Sequence, residues 1–426
     1  MRIEDIYQLY KQSSGISTDT RNILKGSLFF ALKGEHFNGN LFASKALEQG
    51  ATYAIIEETT DASDDRLILV EDVLKTLQQL ATYHRQQFNI PIIGITGSNG
   101  KTTTKELIAT VLSTSKKVHY TKGNFNNHLG VPLTLLAMPM DTEMAVIEMG
   151  ANHIGEIEAL CNIALPNYGI ITNIGKAHLE GFGSIEGVLR GKSELYNHVL
   201  KNGHTVFINS QIEVLNNMAK RFTNPIMYPA PNDFFSCSFV GANPFVEFSI
   251  NNITYTTNLI GKYNFDNIAA ALAIGSFFKV PFDKSIEAVC TYTPSNNRSQ
   301  VIKTSNNTLL LDAYNANPGS MKAAIENFAQ MNAPSKTIIL GDMLELGEIS
   351  QKEHEALGSL IYEKNFNSTY FCGNEIRNTA KKCIGALYFA KKEELAEYLK
   401  LNPIKGSTVL IKASRGIGLE TLVDQL

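Results

Sequence analysis

The stretch PIIGITGSNGKTTT, residues 91–104, decides the fold of this chain. Its first part, Pro91–Thr96, is a short apolar run typical of a buried strand in a parallel sheet. Gly97 and Gly100 follow, and glycines at such positions let backbone N–H groups face an anion. The helix predicted over Lys105–Leu112 adds the positive end of its dipole at the same point. A strand, a glycine-rich loop and a helix in this order predict a site for the phosphates of a nucleotide.

Two side chains at the end of this loop carry the chemistry of a phosphate cradle. Lys101 is placed to reach the β- and γ-phosphates, and the hydroxyl of Thr102 can bind Mg²⁺. The loop is a compact variant, because the spacing GxxxxGK[ST] requires glycine at position 95, where this chain has Ile95. An ordinary glycine-rich turn is the alternative interpretation. The predicted phosphate-binding residues are Gly97, Ser98, Asn99, Gly100, Lys101, Thr102 and Thr103.

Outward from this loop, apolar segments alternate with helical patterns, which is typical of α/β proteins. We expect three domains, at residues 1–88, 89–294 and 295–426, with a polar, proline-containing linker at 292–297. Ala242–Leu259 instead alternates polar and apolar residues, which predicts an antiparallel hairpin added to the main sheet. Further strands are predicted at Met144–Glu148, Tyr168–Thr172, Thr205–Asn209, Leu309–Asp312, Thr337–Leu340, Thr369–Cys372 and Thr408–Ile411.

The composition excludes several classes of protein. Hydrophobic residues make up 44% and charged residues 19% of the 426 residues, which excludes a disordered or fibrous chain. The 38 basic and 41 acidic residues give a net charge of −3, and this lack of basic excess predicts no nucleic-acid partner. Phosphorylated small molecules remain compatible with this charge, because they need only a local cluster of donors.

Cysteine usage and hydropathy indicate the compartment. An odd number of cysteines without a CxxC pair predicts free thiols in a reducing environment. The N-terminal residues Met1–Asp5 lack the apolar region of a signal peptide, and the longest nearly apolar stretch, Ile268–Phe278, is too short to span a bilayer. We therefore expect a cytoplasmic protein with no membrane partner. The cysteines are Cys161, Cys237, Cys290, Cys372 and Cys383.

Two polar residues of the second domain, Glu148 and His178, are candidates for a metal site, and a third, Lys192, is weighed beside them as a functional residue. Glu148 ends an apolar strand, and a carboxylate at the C-terminal end of a parallel strand suits Mg²⁺, the alternative being a solvated strand end. His178 follows the next strand, although a lone histidine is more often structural or merely exposed. Lys192 has no distinguishing pattern of its own, and a lone lysine is usually a surface residue.

The third domain carries polar clusters after two of its strands. Arg298 follows the linker, and Asp312 ends a strand that leads into Asn315, Asn317 and Pro318. Such a cluster is either turn chemistry before a helix or a pocket for adenine, ribose or substrate, and the pattern does not separate the two. The segment 412–416, KASRG, is similarly either a further anion site or a strand-to-helix turn.

The chain resembles the Mur ligase family over nearly its whole length. The motifs that carry the resemblance are the loop Gly97–Thr104, Glu148–His153, Asn173–His178 with Glu180–Gly183, Gly191–Glu194 and Gly261–Asn267. Asp312 with Tyr314–Pro318, and Gly341–Gly347, resemble the branch that adds a dipeptide. The Asp-Asn-Pro-Arg segment typical of the branch adding a diamino acid is absent. The first domain resembles a UDP-binding domain in Asp19–Arg21, Phe30–Gly34 and Phe37–Gly39.

The resemblance implies an α/β fold with a central P-loop parallel-sheet ATPase domain. A small α/β UDP-binding domain and a C-terminal Rossmann-like α/β domain are expected to flank it. The implied enzyme is an ATP-dependent amide ligase that forms an acyl-phosphate on UDP-N-acetylmuramoyl-tripeptide and then adds D-Ala-D-Ala. ATP and Mg²⁺ are the expected cofactors, and we expect a monomer whose third domain closes on the substrates.

The resemblance also assigns roles to individual residues. It implies that the catalytic residues are Lys101, His178 and Lys192. It implies that the Mg²⁺ ligands are Thr102, Glu148, His178 and Lys192, the last as a carbamate. It implies further nucleotide contacts from Asn267, Arg298, Asp312 and Asn315. It implies substrate contacts from Thr20, Arg21, Gly34, Asn38, Asn124, Asn126, Asn127 and Asn317.

Two other functions remain open at the level of the sequence. One is a related ligase with another acceptor, which adds a single amino acid or glutamates to folate. The other is a nucleotide-dependent binding or regulatory protein without ligase chemistry. Dependence of nucleotide hydrolysis on the amine acceptor separates these possibilities.

Overall fold

A four-stranded parallel sheet begins the chain in the computed structural model, which describes residues 1–59 and 64–426. The strand order is β1-β2-β5-β6, and β3 and β4 form a separate antiparallel pair. Helices α1 and α3 bury their apolar faces on one side of the sheet, and α2 covers the other. The elements are α1 (Ile3–Gln12), β1 (Ile16–Ser17), β2 (Leu28–Phe30), β3 (Lys33–Gly34), β4 (Phe37–Asn38), a 3₁₀ helix (Gly39–Phe42), α2 (Ala43–Glu48), β5 (Tyr53–Ile56), β6 (Leu67–Leu69) and α3 (Val73–Gln86).

The middle of the chain forms a six-stranded parallel sheet of order β12-β11-β10-β7-β9-β8. Its first strand, β7, lies inside the sheet and is buried along its whole length, as its continuous apolar run predicted. Its elements are β7 (Ile92–Thr96), α4 (Lys101–Ser113), β8 (Val118–Tyr120), α5 (Gly130–Leu136), β9 (Met144–Glu148), α6 (Glu156–Ala164), β10 (Tyr168–Ile171), α7 (Leu179–Phe182), α8 (Ile185–Lys201), β11 (Thr205–Asn209), α9 (Glu213–Ala219) and β12 (Ile226–Tyr228).

The predicted antiparallel hairpin exists, but its predicted attachment to the main sheet is wrong. Its strands form a separate three-stranded sheet of order β13-β14-β15. The apolar side chains of Val246, Phe248 and Leu259 pack in one core with α10 and therefore do not extend an edge of the parallel sheet. These elements are β13 (Ser238–Ala242), β14 (Phe245–Ile250), β15 (Ile253–Ile260), α10 (Asn264–Phe277) and α11 (Phe282–Thr291).

The last part of the chain forms a second six-stranded sheet, of order β16-β17-β21-β18-β19-β20. All neighbouring strands are parallel except the edge strand β16, which pairs antiparallel with β17. The elements are β16 (Gln300–Lys303), β17 (Thr308–Leu311), α12 (Pro318–Gln330), β18 (Lys336–Gly341), a 3₁₀ helix (Gly347–Ile349), α13 (Ser350–Lys364), β19 (Ser368–Cys372), α14 (Arg377–Ala380), β20 (Leu387–Phe389), α15 (Lys392–Leu401), β21 (Thr408–Lys412) and 3₁₀ helices (Arg415–Ile417, Leu419–Gln425).

These sheets confirm the α/β fold class, while the domain boundaries at 88/89 and 294/295 stay predictions. The five cysteines are free thiols, as their number predicted. Within residues 1–59 and 64–426, no helix has the length and apolar character needed to cross a membrane.

Candidate functional site

A cavity of about 1260 Å³ lies where the strands of the two six-stranded sheets end. In open parallel sheets, ligands bind outside the carboxyl ends of the strands, next to the point where the strand order reverses. Here β7 is that point, because the chain continues to one side of it through β8 and β9 and to the other through β10. The sequence-predicted residues that line the cavity are Ser98, Asn99, Gly100, Lys101, Thr103, Asn126, Asn127, Glu148, His178, Asn267, Arg298, Asp312, Asn315 and Asn317.

The loop after β7 requires glycine at two positions. Gly97 has φ +145°, and a Cβ there would lie 2.0 Å from Thr172 Oγ1. Gly100 has φ +78° and is the N-cap of α4, so the helix begins at Lys101 and the predicted start at Lys105 is wrong by one turn. The earlier start places the first N–H groups of α4 beside the cavity.

Polar side chains from the neighbouring loop hold the phosphate loop in place. Asn173 accepts a hydrogen bond from Asn99 N (2.9 Å) through Oδ1 and donates one to Asn99 O (3.0 Å) through Nδ2. Asn317 reaches the same residue from the third domain, because its Nδ2 donates to Asn99 Oδ1 over 2.7 Å. Asn99 is thus hydrogen-bonded to loops that follow strands of both six-stranded sheets.

Lys101 points its amine back along the loop. Its Nζ donates to Gly97 O over 2.7 Å and to Ser98 O over 3.4 Å. Burial lowers the pKa of Lys101 to about 8, although the nearby Glu148 opposes this shift. The amine therefore remains mostly protonated at pH 7 and available to an anion.

Thr102 and Glu148 bring a hydroxyl and a carboxylate together next to the phosphate loop. Thr102 Oγ1 donates to Glu148 Oε1 over 3.2 Å, and Asn126 Nδ2 donates to the same oxygen over 2.8 Å. The second oxygen, Glu148 Oε2, is buried and has no hydrogen-bond partner among the described residues. The Thr102 hydroxyl and the Glu148 carboxylate, with its Oε2 free of hydrogen bonds in the described ranges, fit Mg²⁺. This ion commonly takes one or two protein oxygens and completes its shell with phosphates and waters.

Sequence reasoning missed a buried cation beside this pair. Lys105 Nζ lies 3.7 Å from Glu148 Oε2 and 3.7 Å from Glu106 Oε1, and its side chain is only 1% exposed. Nζ has no hydrogen-bond partner in the described part of the chain. The available signal was its spacing, because Lys105 follows Lys101 by one helical turn and therefore lies on the same face of α4.

Replacing Lys105 with methionine is expected to lower the free energy of unfolding by about 3–5 kcal/mol, the usual effect of removing one partner of a buried ion pair. Methionine fills the space of the stem but removes the positive charge that lies 3.7 Å from Glu148 Oε2. Urea unfolding in the absence of Mg²⁺ measures the change. Lys117→Met is the matched control and should change stability little, because its ion pair with Asp141 is exposed. Equal small losses in both variants would contradict the role assigned to Lys105.

The predicted nucleotide contacts of the third domain form one polar cluster. Asp312 Oδ2 accepts a hydrogen bond from the buried Lys412 Nζ over 2.6 Å, and Nζ also donates to Asn315 O over 3.0 Å. Arg298 stacks on the ring of Tyr314, with its Cζ 3.8 Å from the ring centroid. These contacts fix the ends of β17 and β21 at the cavity.

Asn267 lines the cavity with its amide already bonded inside the protein. Its Oδ1 accepts from Thr104 Oγ1, and its Nδ2 donates to Asn264 Oδ1, both over 2.8 Å. A Cβ at Gly100 would lie 2.6 Å from Asn267 Oδ1. Asn267 therefore braces the phosphate loop in the described structure.

Lys192 and His178 have contrasting surroundings. Lys192 is buried, and its Nζ donates to Ala151 O over 3.0 Å and lies 5.0 Å from the ring centroid of Phe182. Burial, together with the positive charge of Lys101, lowers the pKa of Lys192 to about 7. His178 lines the cavity, and its Nδ1 lies 2.5 Å from Glu345 Oε2 of the third domain. Glu345 was also missed, because nothing local in the sequence pairs it with His178.

Several predicted site residues lie outside the cavity lining. Gly97 and Thr102 lie directly behind the lining, in contact with Lys101 and Glu148 respectively. The structure does not bring the predicted substrate residues of the first domain to the cavity. The predicted residues absent from the lining are Gly97, Thr102, Lys192, Thr20, Arg21, Gly34, Asn38 and Asn124.

The fold and loop define a P-loop α/β protein, and three family models cover most of the chain. The model for the Mur ligase family catalytic domain matches residues 12–85. The Mur ligase middle domain matches residues 95–275, and the Mur ligase glutamate ligase domain matches residues 297–415. The chain therefore belongs to the Mur ligase family.

Similar proteins within the family share one name. The UDP-N-acetylmuramoyl-tripeptide–D-alanyl-D-alanine ligase of Bacillus subtilis (strain 168) is 36% identical, with 97% of this chain and 93% of the relative covered. The enzyme of that name from Escherichia coli (strain K12) is 32% identical, with coverages of 96% and 93%.

Solved structures give the same result for the fold. MurF from Acinetobacter baumannii matches with a TM-score of 0.87 and 28% identity, covering 98% of this chain and 97% of that one. MurF ligase from Thermotoga maritima, solved in complex with ADP, matches with a TM-score of 0.86, 29% identity and the same coverages. The three-domain α/β architecture expected from the sequence is confirmed.

Proposed function

We propose that this chain is an ATP-dependent ligase that joins D-Ala-D-Ala to UDP-N-acetylmuramoyl-tripeptide through an acyl-phosphate. The observation that carries the ligase chemistry is the cavity, which places a phosphate loop and the strand ends of a second sheet around one space. The substrates follow from the full-length relatives, which carry the name of this ligase at 30–36% identity.

The first step brings two anions together, the carboxylate of the tripeptide and the γ-phosphate of ATP. Catalysis of such a step depends on positioning and on positive charge aimed at the phosphoryl group. Lys101 supplies that charge from the loop, and the N-terminus of α4 adds its dipole. Mg²⁺, when held by Thr102 and Glu148, neutralises further charge on the phosphates.

We assign His178 and Lys192 to the transfer that follows. Carbon dioxide carbamylates the neutral form of an amine, and the pKa of Lys192, lowered to about 7, makes that form accessible near neutral pH. A carbamate replaces the cation by oxygen donors, which suit a second Mg²⁺ together with His178. Lys192 Nζ lies within hydrogen-bond distance of Ala151 O, so the backbone holds its position.

The remaining parts of the proposal concern nucleotide, substrate and assembly. Asn267, Arg298, Asp312 and Asn315 hold the nucleotide from the central and third domains. The cavity supports entry of a large substrate from the first domain, because it extends between α3 and α6, where polar side chains such as Gln78 and Asn162 line it together with apolar ones. The proposed substrate contacts are Thr20, Arg21, Gly34, Asn38, Asn124, Asn126, Asn127 and Asn317.

We infer a cytoplasmic enzyme that acts as a monomer. The proposed boundaries remain 1–88, 89–294 and 295–426. They place one parallel or mostly parallel sheet in each domain, with the three-stranded antiparallel sheet in the second.

Phosphate release by the purified protein tests the proposal. The protein is mixed with Mg-ATP and UDP-N-acetylmuramoyl-tripeptide, with and without D-Ala-D-Ala, and the products are weighed by mass spectrometry. Release that requires both substrates, with a product heavier by one dipeptide, is expected. Release that responds to a single amino acid would indicate another Mur-type ligase. Hydrolysis indifferent to any amine would indicate a nucleotide-dependent regulatory protein.

Closure of the third domain is expected to depend on charges at its contact with the central domain. Lys176 Nζ lies 2.6 Å from Glu353 Oε1, close to the contact between His178 and Glu345. Lys176→Glu replaces this attraction by repulsion and should shift the population towards open molecules by about fivefold, since partly exposed pairs contribute up to about 1 kcal/mol. Small-angle scattering with ATP and the muramyl peptide measures the radius of gyration.

The double variant Lys176→Glu/Glu353→Lys is the control for this closure. It restores opposite charges at the same positions and should restore the compact radius. A radius that does not change with ligands in the unmodified protein, or is the same in all three proteins, would contradict charge-dependent closure.

A further inference from the structure

The segment after the last parallel strand, Lys412–Gly416, holds two cations in different situations. Lys412 is buried, and its Nζ donates to Asp312 Oδ2 over 2.6 Å and to Asn315 O over 3.0 Å. Lys412 therefore connects two strand ends and has its charge already balanced. Of the two readings that the sequence left open for this segment, a turn and an anion site, Lys412 fits the first.

Arg415 is exposed and forms no salt bridge with any residue in the described ranges 1–59 and 64–426. Its guanidinium Cζ lies 5.3 Å from the ring centroid of Tyr314, within the range of a cation–π contact. Arg298 lies over the same ring at 3.8 Å. Two guanidinium groups therefore contact the ring of Tyr314, which lines the cavity. Because both groups are positively charged, this edge of the cavity attracts an anion.

The residue before Arg415 fixes this segment to two neighbouring loops. Ser414 Oγ accepts a hydrogen bond from Leu344 N over 2.9 Å and donates one to Ala316 O over 3.3 Å. Leu344 precedes Glu345, whose carboxylate contacts His178 at the cavity. The segment with Arg415 therefore lies beside the loop that touches His178.

Four other cations around the cavity have partners of their own. Lys101 donates to the phosphate loop, and Lys192 donates to Ala151 O. Lys105 is buried beside Glu148 and Glu106. Arg298 stacks on Tyr314, with its Cζ 3.8 Å from the ring centroid, and is assigned to the nucleotide. Lys75 also lines the cavity and is exposed, but it lies on α3 in the first part of the chain, whereas Arg415 lies in the third domain beside the loop that touches His178. Arg415 is therefore available to an anionic group of the second substrate.

We propose that Arg415 binds the free carboxylate of the amine acceptor, which rests on the proposed function in that the acceptor is a short peptide with one carboxylate. The planar guanidinium can hold a carboxylate with two parallel hydrogen bonds. An extended dipeptide spans about 7 Å, so a carboxylate held at the rim by Arg415 leaves the amine free to reach into the cavity. Arg415 thereby selects acceptors with a carboxylate at this distance from the amine.

The test compares D-Ala-D-Ala with its C-terminal amide, which keeps the amine and lacks the negative charge. In the unmodified protein the amide is expected to have a KM about 10–100-fold higher than the acid, the effect of one charge-assisted pair. Arg415→Ala should raise the KM of the acid by a similar factor and should no longer distinguish acid from amide. Arg415→Lys should recover part of the difference. Arg377→Ala changes an exposed arginine of the same domain and should retain the full difference.

Two outcomes would overturn the proposal. One is an Arg415→Ala variant that still prefers the acid over the amide by the original factor. The other is a loss of ATP affinity, measured without acceptor, that equals the rise in KM, because Arg415 would then serve the nucleotide. Failure of the proposed function is separate: the unmodified protein would ligate a different amine, and the acid–amide comparison with that amine then tests Arg415.

Discussion

Lys101→Met is expected to lower the rate of ATP turnover by at least about a hundredfold, the effect of removing one preorganised donor from a charged transition state. The structure gives the reason, because the hydrogen bond from Lys101 Nζ to Gly97 O holds the charged amine at the N-terminus of α4. Methionine preserves the packing of the buried stem and removes the charge. Phosphate release at saturating muramyl peptide and dipeptide measures the effect, and the melting temperature should change little.

The pH dependence of nucleotide binding gives an independent check on Lys101. Only the protonated amine attracts phosphate, and burial lowers the pKa of Lys101 to about 8. Affinity for ATP should therefore be full below pH 8 and fall as the pH rises through 8, by up to about tenfold for each further unit. Lys101→Arg stays charged in this range and should lose this pH dependence. Normal turnover in Lys101→Met would remove the phosphate-loop assignment.

The part of the fold that the sequence could predict is the part with strong local signals. The buried strand Ile92–Thr96 follows from a continuous apolar run bounded by glycine, and Thr205–Asn209 has the same character. The hairpin strands show the limit of such signals. Their alternation predicts two faces, but it does not say which surface the apolar face packs on, and here that surface is α10.

The candidate site also contains residues with a local sequence signal and residues without one. The loop and Glu148 were found because a phosphate cradle needs particular residues at fixed spacing, and Glu148 ends a strand beside it. The contacts of Glu345 with His178 and of Asn317 with Asn99 join residues more than 150 positions apart. Only the tertiary arrangement creates such pairs, so no spacing in the sequence indicates them. Thr20 and Arg21 were assigned by resemblance, and their substrate role stays a prediction.

Lys192→Ala is expected to reduce ligation by at least about a hundredfold while the protein remains folded, because it removes a proposed ligand and its charge at the second metal position. The side chain is buried in α8, so alanine keeps the helix and leaves a cavity. Partial rescue by a short-chain carboxylate is expected, since such an anion fits that cavity and supplies the oxygens of the carbamate. Lys201→Ala, on the exposed face of the same helix, is the matched control and should retain full activity.

A spectroscopic measurement separates the carbamate from a merely structural lysine. The unmodified protein, incubated with ¹³C-bicarbonate, should show a carbamate carbonyl signal that Lys192→Ala lacks. Because burial lowers the pKa of Lys192 to about 7, the neutral amine predominates above pH 7, and the signal should increase as the pH rises through that value. A structural lysine bonded to Ala151 O gives neither the signal nor rescue by carboxylate. Full activity of Lys192→Ala would contradict both the carbamate and the second metal position, and it would leave Lys101, Thr102 and Glu148 as the catalytic centre.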